Sequence, residues 1–170
     1  MQVTISKLSR PDAGDYRALR LECLAAHPEA FGSSFEEECL LSFEDFAQRL
    51  EKHDFFGARR SDTNAMVGSV GIHFSAAAKL MHKGVIVGMY VRPEMRGSGV
   101  GAALVQHVLD YARPIVEQVN LVVEASNVGA FRLYRKLGFE QYGYEPRARK
   151  VGQTCYDDVL MTLALYEGHA

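Results

Sequence analysis

Val3 and Ile5 alternate with polar neighbours through residues 2–8, a pattern that predicts a half-buried strand. The period then lengthens. Pro11-Asp12 opens a helix with Asp12 as N-cap and Asp15 three residues on. Leu19, Leu21, Cys23 and Leu24 carry its apolar positions to about Ala26, and Pro28 stops it. Residues 28–35 read as a loop whose aromatics, Phe31 and Phe35, pack onto another element. Ser42-x-x-Asp45 resembles a capping box and predicts a short helix through Leu50.

From Asp54 the period falls to two. Residues 55–59 and 66–72 flank the turn residues Ser61, Asp62, Thr63 and Asn64, which predicts a hairpin. Small residues over 75–83 connect to a third strand at 85–91, so the region reads as an antiparallel meander. Val100, Leu104, Val105, Val108, Leu109 and Ala112 then recur on one helical stripe that Pro114 ends. Residues 119–125 are strand-like, Asn127 precedes a helix over 128–136, and Gly138 closes it. Residues 139–147 and 154–165 form a final hairpin around 150–153. The order β-α-α-β-β-β-α-β-α-β-β predicts an α/β (α+β) fold, a mixed central sheet flanked by helices with a βαβ crossover in the middle.

With 170 residues, 48% hydrophobic and 24% charged, the chain is expected to form one globular domain with a buried core. A formal net charge of -2 argues against a nucleic-acid footprint or a membrane-surface patch. No apolar run approaches the roughly 20 residues of a membrane span. Cys23, Cys39 and Cys155 lie far apart, without a C-x-x-C pair or a histidine at ligand spacing. Free thiols in a reducing compartment fit them, so neither a disulfide nor a metal site is expected. The first residues lack a long apolar signal core, and the expected location is cytoplasmic. His27, His53, His107 and His169 are expected at the surface.

The chemistry concentrates where the third strand gives way to the helix. Met89, Tyr90 and Val91 end the apolar run, a Pro93 turn follows, and Arg96, Gly97, Ser98, Gly99, Val100, Gly101 and Ala102 lead into the helix. Glycines remove Cβ atoms where a ligand would approach the backbone. The helix start adds unpaired N–H groups and the positive end of a dipole. Together they predict an anion site, most naturally for phosphate. Gly97 to Ala102 formally fits the G-x-G-x-x-G/A dinucleotide fingerprint, with Glu124 where a ribose-binding acid belongs. Against that reading, residues 92–96 separate the strand from the first glycine, and a meander precedes it instead of parallel crossovers. No Gly-Lys-Ser/Thr follows, so the Walker pattern is absent.

A wider constellation surrounds the loop. Val91-x-Pro93-Glu94 precedes Arg96-x-x-Gly99-x-Gly101, and Asn127-x-x-Ala130-x-x-x-Tyr134-x-x-x-Gly138-Phe139 follows it. This arrangement resembles the GNAT family of N-acetyltransferases over nearly the whole chain. The resemblance implies a strongly twisted mixed sheet in which the strand ending at Val91 and the strand 119–125 splay apart to admit a pantetheine arm. It implies acetyl-CoA as cosubstrate, an amine acceptor, direct attack of the amine in a ternary complex, and no metal. Residues 28–38 also look like a segment of some bacterial members.

By the same resemblance, the N–H groups from Gly97 to Ala102 bind the pyrophosphate, with Arg96 adding charge. A backbone N–H at Tyr90 or Val91 serves the oxyanion. Tyr134 matches the general acid, since a phenol with a pKa of about 10 holds its proton at neutral pH. The alternative for Tyr134 is a helix tyrosine packed on the core. Asn127 matches a contact to the pantetheine arm and can serve as N-cap at the same time. Ala130 and Phe131 line the same cleft. For the base, Glu22, Glu36, Glu37, His73, His82, Tyr90 or a water relay are all candidates. Glu36, Glu37 and Glu38 read either as a solvated face or as an attractor for a cationic amine. A non-catalytic acyl-CoA-binding module on the same scaffold is the competing reading. The acceptor pocket is expected from residues 24–38, 75–83 and the final hairpin, whose edge strands allow two copies to pair as a homodimer.

Overall fold

The computed structural model describes residues 2–166; His169 lies outside them. One mixed sheet holds seven strands: β1 (Val3–Lys7), β2 (Asp54–Arg60), β3 (Met66–Phe74), β4 (Lys83–Val91), β5 (Gln118–Glu124), β6 (Glu140–Val151) and β7 (Thr154–Ala164). Their order across the sheet is β1-β2-β3-β4-β5-β7-β6. β1 to β4 pair antiparallel as the expected meander, β4 and β5 run parallel, and β7 returns antiparallel between β5 and β6. Among the described residues, no helix is long and apolar enough to cross a membrane.

Among the described residues, five helices cover the two faces: α1 (Ala13–Ala26), α2 (Phe35–Glu38), α3 (Phe43–Lys52), α4 (Val100–Ala112) and α5 (Val128–Lys136). α4 buries the stripe its sequence predicts, with Leu104, Val105, Val108 and Ala112 fully enclosed against the sheet. Each such leucine or valine contributes roughly 1.5–3 kcal/mol of burial free energy. Tyr16, Leu19, Cys23, Phe46, Ala47 and Leu50 form a second core between the opposite face and α1 with α3.

Four expectations change. Asp12 is not the side-chain cap of α1. A 3-10 turn at Arg10–Asp12 precedes the helix, and the Asp12 carboxylate reaches back to the Ser9 N–H at 2.9 Å while Arg59 holds its other oxygen. Leu21 is only half-buried; Ala13 and Tyr16 complete the buried stripe instead. The stretch read as loop contains α2, opened by a capping box in which the Glu37 N–H donates to Ser34 Oγ at 3.2 Å. That Ser-x-x-Glu signal was present in the sequence. Finally, His27 and His107 are half-buried, and the His107 ring packs edge-on against Phe56.

Candidate functional site

β4 is where the ladder turns irregular. Ser69 of β3 faces Tyr90 and Gly71 faces Val87, so Gly88 and Met89 share one place opposite Val70. Gly88 adopts φ +60° at this bulge, which a residue with a Cβ would resist. The extra residue resets which side chains share a face. Val87 and Tyr90 join the core under α1, whereas Met89 and Val91 pack on the core under α4.

On its other edge β4 pairs with β5 at three positions only, Lys83–Gln118, Gly84–Val119 and Val85–Asn120. β5 itself continues to Glu124, paired throughout with β7. From Ile86 onward the two strands splay, as the sequence reading expects. The Arg92 N–H donates to the Val67 carbonyl at 2.9 Å. Antiparallel alternation then makes Tyr90–Ser69 a hydrogen-bonded pair and leaves Val91–Gly68 unbonded. The Val91 N–H and carbonyl therefore face the gap, and Arg96 Nε donates to that carbonyl at 3.1 Å.

Beyond β4, a 3-10 turn at Pro93–Met95 buries Met95 as an anchor, and Ser98 Oγ donates to its carbonyl at 2.6 Å. Gly97 and Gly99 have φ of +73° and +87°, and a Cβ on either would meet no protein atom within 4 Å. They open the loop toward empty space. Gly101 has a different role: a Cβ there would stand 3.3 Å from Leu133 and 3.4 Å from Met89, so this glycine lets α4 lie close to α5 and β4. The first bond of α4 runs from the Ala103 N–H to the Gly99 carbonyl, leaving the N–H groups of Val100, Gly101 and Ala102 without helical acceptors. The Arg96 side chain turns away from this cradle. Its guanidinium lies 3.1 Å from His27 Nε2 and over the Tyr90 ring.

α5 forms the far wall. Asn127 Oδ1 caps it by accepting the Ala130 N–H at 3.1 Å. Ala130 and Phe131 are half-buried against the α4-side core, and Tyr134 follows on the same helix face, 5% exposed and edge-on to Phe139. Burial raises the Tyr134 pKa well above the ordinary phenol range. No described residue hydrogen-bonds its hydroxyl, yet no buried side-chain oxygen or nitrogen is left unpartnered among the described residues. Gly101 at the start of α4 lies against Met89 of β4 and Leu133 of α5, beside the splayed end of β4.

The candidate bases are scattered. Tyr90 donates to Glu22 at 3.0 Å, and burial with that carboxylate pushes its phenol up to about 12, so it holds its proton at neutral pH. Glu22 is also clasped by Arg92 at 2.9 Å. Glu37 serves the α2 cap, Glu36 is exposed, and His82 lies on the exposed connection before β4. His73 stacks on His53 at the opposite end of β3, where desolvation and then the His53 charge lower its pKa. Glu38 belongs to neither of the two readings of the acidic run: it is buried between Arg20 and Arg49. Arg20 stands four residues after the buried Tyr16, and Arg49 three after the buried Phe46, so their place on apolar helix faces was the signal for this cluster.

Residues 18–139 match the model of the acetyltransferase (GNAT) family. A mycothiol acetyltransferase from Thermobispora bispora is 29% identical over 140 residues, 82% of this chain and 46% of that protein. The chain thus spans about half the length of that relative. The N-alpha-acetyltransferase RimI of Mycobacterium tuberculosis is 29% identical over 88% of this chain and 85% of its own. The fold matches that of yncA from Salmonella typhimurium, a structure with its cofactor acetyl-CoA, at a TM-score of 0.85 and 18% identity over 100% and 98% of the two chains.

Proposed function

The chain belongs to the GNAT acetyltransferase family, and we propose that it transfers the acetyl group of acetyl-CoA to a primary amine of a small molecule, protein or peptide. The observation that carries this reading is the gap between β4 and β5 from Ile86 onward, opening beside the uncovered N–H groups of the 97–102 loop. A strand edge without a ladder offers backbone donors and acceptors to an extended amide-bearing arm, and a bare helix start suits a pyrophosphate.

In this reading the N–H groups of Gly97, Ser98, Gly99, Val100, Gly101 and Ala102 hold the pyrophosphate. Asn127, Ala130 and Phe131 line the arm, and Met89 to Val91 present the acetyl group. The Val91 N–H, facing the gap, meets the negative charge that develops on the thioester oxygen. The Tyr134 hydroxyl gives its proton to the departing thiolate. The amine attacks directly while both substrates are bound, the C–S bond breaks as the C–N bond forms, the nitrogen's surplus proton passes to water, and water restores the Tyr134 proton. Arg96, folded over Tyr90 and His27, closes the end of the gap and must swing toward the loop to add charge there.

The test joins a thermal shift with acetyl-CoA to an amine panel read by free CoA thiol. Stabilisation together with thiol release supports the reading. No stabilisation and no calorimetric binding overturns it, and binding without thiol release from any amine favours an acyl-CoA-binding module instead.

A further inference from the structure

A cavity of about 530 Å³ opens on the opposite face of β4 from the 97–102 loop, walled by Tyr16, Arg20, Phe31, Glu38, Arg49 and Gly88 among others. That volume is in the range that holds small organic ligands. Its floor carries an unbalanced charge. Arg20 and Arg49 both converge on the single Glu38 carboxylate, with side chains 12%, 24% and 8% exposed respectively. Arg20 commits Nε and one terminal nitrogen to Glu38 at 3.2 and 3.0 Å, and Arg49 commits one at 2.9 Å. Among the described residues no second carboxylate accepts from their remaining N–H groups; the Tyr16 hydroxyl lies beside Arg49 and the Cys23 thiol beside Arg20, and the guanidinium groups lie over the Phe46 and Phe31 rings. The other carboxylate on the wall, Asp45, is exposed and serves the Ser42 cap, while Lys52 adds a further cation. A desolvated guanidinium pair with one counter-charge leaves room for a second anion.

The place of this charge matters for the reaction. Arg20 Nη1 lies 3.8 Å from where a Cβ on Gly88 would stand, so it sits over the bulge. From Gly88 to Val91 is three residues of extended strand, about 10 Å. An anion at the arginines and an acetyl group at Val91 would therefore be bridged by a short chain.

We propose that this cavity holds the carboxylate of the acceptor, so that the preferred substrates are amino carboxylates whose amine lies several bonds from the acid. This rests on the acetyltransferase reading above. The carboxylate lies across the remaining N–H groups of Arg20 and Arg49, whose planar forks match its two oxygens. The aliphatic stem runs along Val87 and Gly88 toward the end of β4, and the amine arrives at the gap.

The test measures kcat/KM for γ-aminobutyrate, δ-aminovalerate and ε-aminocaproate, for their amides, and for the phosphonate of matching length. At least one acid should exceed its amide by about tenfold or more, as a charge-assisted contact requires. Arg49→Gln should bring that ratio toward one without weakening acetyl-CoA binding, and Arg49→Lys, which keeps charge but loses the fork, should fall between. Equal use of acids and amides by the unaltered protein overturns the inference, whatever the variants do, and so does preference for the phosphonate. Calorimetry with the same acids on the CoA-bound protein separates the two readings. Arg49-dependent binding without acetyl transfer sinks the enzymatic reading and keeps the subsite; transfer to neutral amines with no such binding does the reverse.

Discussion

The Tyr90 hydroxyl donates to Glu22 Oε1 at 3.0 Å, and Arg92 takes the other oxygen of that carboxylate. The bond ties the end of β4, where the acetyl group is proposed to sit, to the middle of α1. Burial and Glu22 push the phenol up to about 12, so it is a donor across the working range. Tyr90→Phe should cost about 1–2 kcal/mol in urea unfolding, because Glu22 keeps Arg92 and only the one bond is lost. The acid limb of the pH–rate profile should stay in place. An acid limb displaced by a pH unit or more would make Tyr90 the base after all.

Glu38 makes the opposite case, a carboxylate held charged. Its burial alone would raise the pKa, but hydrogen bonds from Arg20 and Arg49 and their charges outweigh burial and hold the group below the ordinary range. The folded-state pKa is lowered, so the stabilisation is present above the unfolded carboxylate pKa and is lost as pH falls through the folded value. Glu38→Gln should destabilise the protein by about 3–5 kcal/mol at neutral pH, since two guanidinium groups are left without their anion. Denaturation curves of the two proteins should converge as the pH drops below about 4. A constant difference down to pH 3 would assign the loss to packing.

The buried arginines show where sequence reading stops. Strands, the α4 stripe and the glycine loop were legible because period and turn chemistry are local properties of the chain. The splaying of β4 from β5 came through the family resemblance, since nothing in the spacing of residues 85–91 announces a ladder that ends after three pairs. The bulge at Gly88 was hidden for a related reason. A glycine in a strand signals some irregularity, but only the register against β3 shows that Val87 and Tyr90 share a face. Glu38 was misplaced because a run of three acids looks solvated until two helices bring Arg20 and Arg49 to it. At Gly101 the spacing shows the glycine but not its neighbours: a Cβ there would also meet Leu133 and Met89, a contact only the packing of α4 reveals.

Gly99 and Gly152 offer a paired test of the loop. Both have positive φ, +87° and +58°, and a Cβ on either meets no protein atom within 4 Å. Alanine at each position should therefore carry a similar backbone strain, about 1–2 kcal/mol. Gly152 lies in the turn between β6 and β7, and Gly152→Ala should leave acetyl-CoA affinity unchanged. Gly99→Ala places a methyl at the mouth of the cradle and should weaken acetyl-CoA binding by about tenfold or more, read by calorimetry. Equal affinities in the two variants would mean that the open space at Gly99 is not where the pyrophosphate lies.

Tyr134 decides between an acid and a core tyrosine. Its ring is enclosed and edge-on to Phe139, which any packing role also requires. The hydroxyl sets the two roles apart, since it has no hydrogen-bond partner among the described residues. Removing it forfeits no hydrogen bond to a described residue, so Tyr134→Phe should change stability by less than about 1 kcal/mol. Turnover should fall by about a hundredfold or more, with acetyl-CoA affinity nearly unchanged, if the phenol protonates the thiolate. Burial raises the pKa, so the proton is held beyond the ordinary phenol range and this group should impose no alkaline loss of activity near pH 10. Full turnover in the phenylalanine variant would return Tyr134 to the core and leave the leaving thiolate to be protonated by solvent.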